Sequence, residues 1–162
     1  MVCIAVSYTA PVNVAGVKAL TIEQLWAGLQ YKVRHAEVFV PTIKSCKVLE
    51  DRGNEVERAV TFKDFGNVLT SGNTMTETVK SYPHSQVDFV QGDGTVVHNV
   101  VSQGAQGSDD LYLTYAFLWQ RPDIQAGTPE ERDARDTFQR QAKMAVEKSI
   151  EVTRELLATG KI

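Results

Sequence analysis

"DLYLTYAFLWQRPDIQAGTPEERDARDTF", Asp110 to Phe138, changes its period halfway along. As far as Trp119 the side chains alternate. Leu111, Leu113, Tyr115, Phe117 and Trp119 fall on one side and Tyr112, Thr114, Ala116 and Leu118 on the other, the two-residue rhythm of a strand with both faces partly apolar. Past Pro122 the chain turns through "DIQAG". Thr128 then stands as an N-cap, Pro129 takes the first helical position, and Glu130, Glu131 and Asp133 sit near the positive end of the helix dipole. From there Phe138, Ala142, Ala145, Ser149, Val152 and Leu156 recur at spacings of three and four. That pattern predicts a helix from about Pro129 to Ala158, roughly 45 Å long at 1.5 Å per residue. A helix of this length with one apolar face needs a wide partner surface in water, so the expectation is a broad sheet with this helix lying across it.

Upstream of Asp110 the chain supplies the rest of that sheet. From Thr42 onward come "TIKSCKVLED", a turn at "RGN", "EVERAVTFKD", "TMTETVKSYP", "SQVDFVQ", a "GDG" turn, "TVVHNVVSQ" and then the strand just described. Six consecutive strands with short connections read as an antiparallel meander. The stretch "DFGNVLTSGN", Asp64 to Asn73, is longer than a tight hairpin needs and is either a gate to a pocket or a plain loop. Nearer the start, Val2, Ile4, Val6 and Tyr8 alternate as a first strand, with Pro11 and Asn13 as breakers. Thr21 and Gln24 have the spacing of a capping box, and Leu25, Leu29 and Val33 mark the helix that follows. "AEVFVP" fits a short second helix or an extended link equally well.

The 162 residues suit one domain, 1–162, with 43% hydrophobic and 23% charged side chains. At a formal charge of −3, no segment gathers the Lys and Arg needed to neutralise a phosphate backbone, so nucleic acid is not an expected partner. The N-terminus lacks the basic start of a secretory signal and no run reaches the ~18 apolar residues of a membrane span, which predicts a soluble, cytoplasmic protein. Cys3 and Cys46 lack zinc-ligand spacing and read as reduced, partly buried thiols. The chain has no H-x-H, no H-E-x-x-H, no phosphate-cradling loop ahead of a helix and no nucleophile elbow, so no metal and no cofactor are expected.

Strand, one or two helices, six strands and a long last helix predict an α+β protein with a seven-stranded curved antiparallel sheet around the C-terminal helix. This order resembles the START-like (SRPBCC) superfamily, the helix-grip fold shared by the birch-pollen allergen, lipid-transfer START domains and aromatase/cyclases. Within it, "VERAVTF", "TETV", "VDFV" and "DLYLTYAFLW" look like the AtaL-like family, found in bacteria and in fungal secondary-metabolism clusters. The resemblance implies a hydrophobic or aromatic small molecule held in a cavity between sheet and helix. It carries over no catalytic residue. Phe62, Met75, Val79, Tyr115, Phe117 and Trp119 are suited to line such a cavity, and equally to close a filled core.

Two side chains interrupt the apolar stripes. Arg58 stands among Val56, Val60 and Phe62, and Glu77 between Met75 and Val79, on what the sequence reads as neighbouring strands. Opposed residues on such strands lie ~5 to 8 Å apart, and a buried charge without a partner costs several kcal/mol, so the two are expected to pair. The pair is either structural or the part of the site that handles a polar ligand group, with Arg58 as an oxygen fork and Glu77 as a general base. Among the histidines only His98, alternating with Val96 and Val100, is a candidate for the cavity; His35 and His84 fall at a helix end and a turn. Two functions follow: a module that binds a hydrophobic secondary-metabolite intermediate, or a cofactor-free cyclase, isomerase or lyase. Nothing in the sequence fixes the ligand or an oligomeric state.

Overall fold

In the computed structural model, which describes residues 2–64 and 73–162, the last strand and the last helix stand where their periods place them. The order is β1 (Val2–Pro11), α1 (Ile22–Arg34), α2 (Ala36–Phe39), β2 (Ile43–Asp51), β3 (Glu55–Phe62), β4 (Thr74–Tyr82), β5 (Gln86–Gln91), β6 (Val96–Gln103), β7 (Leu111–Arg121) and α3 (Pro129–Ala158). The "AEVFVP" segment is therefore a single helical turn followed by extended chain. All seven strands are antiparallel in one sheet ordered β1-β7-β6-β5-β4-β3-β2, so the meander β2 to β7 is completed by β1 on its far edge. Wrapped around α3, this is the helix-grip arrangement. The "DFGNVLTSGN" loop, apart from its ends Asp64 and Asn73, lies outside the described residues.

Local chemistry sets the helix ends. Thr21 accepts from the Gln24 backbone N–H while Gln24 reaches back to the Thr21 N–H, so the capping box is complete. Thr128 caps α3 by accepting from the Glu131 N–H, with Pro129 in the first turn. The first strand runs on through Pro11, which pairs with Tyr112. Because β1 is an edge strand, a proline without an N–H costs no ladder bond there, and the breaker expected at Pro11 is absorbed. Cys3 is exposed on this edge rather than partly buried.

Helix α3 treats its two halves differently. The first half follows the free edge of β1, where Arg135 donates to the Ala5 carbonyl and Gln139 to that of Ser7. The edge is thereby covered, which removes a row of open acceptors. Ala142 closes the first half against Ile4 and Val6, and the second half crosses the concave face, with Val146, Ser149, Val152, Thr153 and Leu156 buried. Phe138 and Ala145, expected to be buried with Leu156, are only half-buried. Phe138 stacks on the half-buried Trp119, and Ala145 packs against the margin of the main core.

Helix α1 lies beside α3, and the two meet at Gly28. A Cβ at that position would overlap the Thr153 side chain, so glycine sets how closely the helices approach. The core between α1, α3 and the sheet gathers Leu25, Leu29, Val33, Val56, Val79, Phe89, Leu113, Tyr115 and Val146.

Candidate functional site

Inward-facing residues of the sheet form rows across the strands, and the register states which ones meet. Arg58 on β3 lies opposite Glu77 on β4, which lies opposite Gln91 on β5. One row away come Val56, Val79, Phe89, Val97, Phe117 and Val6, and beyond it Val87, Asn99, Tyr115 and Tyr8.

Arg58 and Glu77 are both buried, at 4% and 6% exposure, and they pair as the interrupted stripes predict. Arg58 Nε and Nη2 stand 2.8 and 2.7 Å from Glu77 Oε2. The other carboxylate oxygen accepts from Gln91 Nε2 at 3.1 Å. Arg58 Nη1 donates to the carbonyls of Lys32 and Val33 at 3.0 and 2.8 Å, and the guanidinium lies 4.9 Å from the centre of the Phe89 ring. Those carbonyls belong to the last turn of α1, whose backbone acceptors have no partner within the helix. The arginine is thus a buried cap that ties α1 to the sheet.

Lys32 is a second buried cation, which the sequence reading did not single out. Its Nζ donates to the Tyr115 hydroxyl at 3.0 Å, that hydroxyl donates to Ser149 Oγ at 2.6 Å, and the Ser149 hydroxyl donates in turn to the Ala145 carbonyl at 2.8 Å. The ammonium lies 4.1 Å from the centre of the Tyr115 ring and 5.4 Å from that of Phe89. Burial, reinforced by the Arg58 charge and opposed by Glu77, brings the Lys32 amine down to about 7. Burial also pushes the Tyr115 phenol well above its ordinary range, against the pull of its bond to Ser149. At neutral pH this corner therefore holds a neutral phenol and an amine poised between its two protonation states.

The signal for Lys32 was present in the sequence. In the helix Leu25, Leu29, Lys32, Val33 it takes a place on the apolar face, as Arg58 does in its strand. Asn99, wholly buried on the inner face of β6, was missed for a different reason. Both parities of that strand are apolar, Val96 and Val100 against Val97 and Val101, so periodicity could not choose between His98 and Asn99. The register with Tyr115 chooses Asn99. His98 is corrected to the convex face, where its strand neighbours are Asp88 and Ala116 and its Nδ1 lies 2.6 Å from Asp88 Oδ1.

The remaining candidates separate. Val79 is fully buried in the core between Val56 and Phe89. Phe62 packs with Ala36, Ile43 and Val60 at the far end of β3, and Met75, half-buried, lies opposite Val60. On β7 the aromatics make a continuous row. Tyr115 meets Phe117 edge-on at 6.3 Å, Phe117 stacks on Trp119 at 5.5 Å, and Trp119 stacks on Phe138 of α3 at 5.0 Å. Tyr115 is sealed, whereas the other three are half-buried, so the seam between α3 and the sheet loosens toward Trp119. An open groove of about 430 Å³ lies along the covered edge of β1, lined by Ala5, Ser7, Ala116 and Leu118 of the outer parity together with Val6, Phe117, Arg135 and Gln139. A second, of about 420 Å³, lies between Arg121, Ile124 and Ala134. Of the three β7 aromatics expected to line a cavity, Phe117 borders the first groove, while Tyr115 is packed into the core with its hydroxyl bonded to Lys32 and Ser149.

Among the described residues no cluster of three His, Cys, Asp or Glu is placed to hold a metal ion, and no helix is long and apolar enough to cross a membrane.

The family profile described as "Acetylaranotin biosynthesis cluster protein L" (AtaL) matches residues 6–160. No curated protein matches the chain. Among solved structures, the di-domain aromatase/cyclase StfQ of the steffimycin biosynthetic pathway is 15% identical with a TM-score of 0.65, over 93% of this chain and 50% of that one, so this chain spans half of StfQ. The Zhui aromatase/cyclase from Streptomyces sp. R1128 is 16% identical with a TM-score of 0.63, over 94% of each chain. The solution structure of KanY is 14% identical with a TM-score of 0.68, over 95% of this chain and 99% of its own. At these identities the likeness is one of fold.

Proposed function

The chain belongs to the AtaL family, and on that premise we propose that it binds a hydrophobic or aromatic small molecule, a secondary-metabolite intermediate, between the sheet and α3. The observation that carries this reading is the half-buried aromatic row Phe117, Trp119 and Phe138, which runs along the seam between β7 and α3 up to the sealed polar corner at Tyr115. Flat aromatic walls favour a flat ligand, and polar groups at the inner end favour one that carries oxygen over a simple lipid tail. The names of the aromatase/cyclase neighbours agree with a ligand of that kind. The ligand would part α3 from β7 toward Trp119, which is half-buried between two rings, whereas Tyr115 is fully buried and hydrogen-bonded.

Titration with 1-anilinonaphthalene-8-sulfonate should give saturable fluorescence that 2-acetylnaphthalene displaces, and Trp119→Ala should weaken it. A signal that rises without saturation, or that is indifferent to Trp119, overturns the reading.

A second reading is a cofactor-free cyclase or isomerase in which Arg58 and Glu77 move a proton. The buried charge pair favours it, but both Glu77 oxygens are already engaged, by Arg58 and by Gln91. With turnover in hand, Glu77→Gln should abolish the reaction while the fold and probe binding persist; unchanged turnover would exclude Glu77 as the base.

A further inference from the structure

Asn99 is an anomaly. Its side chain is fully buried, and among the described residues neither Nδ2 nor Oδ1 has a hydrogen-bond partner. Buried amides are nearly always satisfied, because an unpaired polar group forfeits the bonds it had in water. The neighbouring position of Lys32 makes this more than a local defect. The Lys32 ammonium lies near the ring of Phe89 on β5 and also near that of Tyr115 on β7, so it stands over the strand between them, β6. Inward from β6 at that level point Val97, opposite Phe89, and Asn99, opposite Tyr115. Among the described residues only one acceptor, the Tyr115 hydroxyl, takes a hydrogen bond from Lys32. An amide with nothing to bond and an amine with donors to spare thus share one strand's width, beside a phenol whose proton is already committed to Ser149.

We propose that Lys32 and Asn99 form the oxygen-binding pole of the ligand site, donating together to a carbonyl or enolate oxygen on an aromatic ligand. This rests on the binding reading above and names the ligand's chemistry. The register suits it: Tyr115 precedes Phe117 on the inner face of β7, their ring centres 6.3 Å apart, and Asn99 stands opposite Tyr115. Two N–H donors aimed at one oxygen stabilise negative charge more than a neutral carbonyl, which favours the enolate over the ketone. Arg58 and Glu77, bound to each other and to α1, hold Lys32 in place through its backbone carbonyl instead of touching the ligand. Asn99 is a polar group kept in an apolar interior at the expense of the unliganded fold.

Two matched probes test this on the intact chain, 2-acetylnaphthalene and 2-ethylnaphthalene, each competed against 1-anilinonaphthalene-8-sulfonate. The unsubstituted protein should prefer the ketone by about tenfold, the value of one good hydrogen bond to a polar site. Lys32→Met and Asn99→Val should each lower that ratio several-fold, and the two together should bring it close to one, with the affinity for 2-ethylnaphthalene little changed. Unliganded Asn99→Val should also melt at a higher temperature than the unsubstituted protein. Should a variant fail to fold, the carbonyl stretch of 2-acetylnaphthalene bound to the unsubstituted protein decides the matter: it should fall below its frequency in hexane. Equal affinity for the two probes, a preference that survives both substitutions, or an unshifted carbonyl overturns the proposal and leaves aromatic binding standing. If neither probe competes, the binding reading falls as well.

Discussion

Arg58 and Lys32 are both cations buried between α1 and the sheet, and their surroundings differ in one respect. Arg58 meets a carboxylate, and its remaining fork meets two helix carbonyls. Lys32 meets a phenol and two ring faces, with no carboxylate hydrogen-bonded to it. Burial above all, with the Arg58 charge nearby, outweighs the pull of Glu77 and brings the Lys32 amine down to about 7. The comparison separates the two roles that a buried polar group can have: Arg58 fastens two elements together, while Lys32 and Asn99 keep bonding capacity unspent. Satisfied groups build, and unsatisfied ones are available to a ligand.

The largest expected effect breaks the fastened side. Arg58→Ala leaves Glu77 buried without its cation and uncaps α1, so unfolding in urea should show a loss of roughly 3 to 5 kcal/mol. Arg58→Met with Glu77→Leu should lose much less than the sum of the two single changes, because no charge is then stranded. Additive losses would mean that the two side chains do not depend on each other, and the contrast with Lys32 would go.

Next comes the pH dependence of the unfastened side. Lys32 in the folded protein titrates near 7, below the 10.5 of an unperturbed lysine. Between those values the unfolded chain holds the extra proton, so stability rises with pH through this window. Below about pH 7 both states are protonated and the full cost of burying the charge is present. From pH 7 to pH 9 the gain from this one group should be about 2 kcal/mol, at ~1.4 kcal/mol per pH unit and less near the midpoint. Lys32→Met should remove that slope. A slope of the same size in the variant would place the titration elsewhere.

A smaller effect sharpens how Lys32 is held. Gly28→Ala drives a methyl into Thr153 and pushes α1 from α3, which should cost about 1 to 3 kcal/mol. Adding Thr153→Ala should return part of it. If Gly28→Ala alone is neutral in a thermal melt, the helix contact is looser than the geometry states.

How much of this was legible in the chain follows from where each signal sits. Arg58 and Glu77 were readable because each breaks a stripe that has only one apolar parity, and a buried charge demands its opposite nearby. His98 and Asn99 were not, because β6 is apolar on both parities and a strand alone carries no statement of which face turns inward. Lys32 was written into the apolar face of α1, but a lysine at the edge of a helical stripe can equally stretch to solvent. Its burial depends on how closely α1 lies against α3, which Gly28 sets by contact with a residue far away in sequence.

By itself, then, the sequence determined the seven strands, the capped helices, the span of α3 and the Arg58–Glu77 pair, all matters of local period, caps and charge balance. The tertiary structure alone decided that β1 closes the sheet beside β7, that α3 covers an edge with one half and a face with the other, and that Lys32, Asn99, Tyr115 and Ser149 share one corner. Those four come from α1, β6, β7 and α3. A period within one element carries no information about distances to another, and only the packing of the elements around a common core brings such residues together.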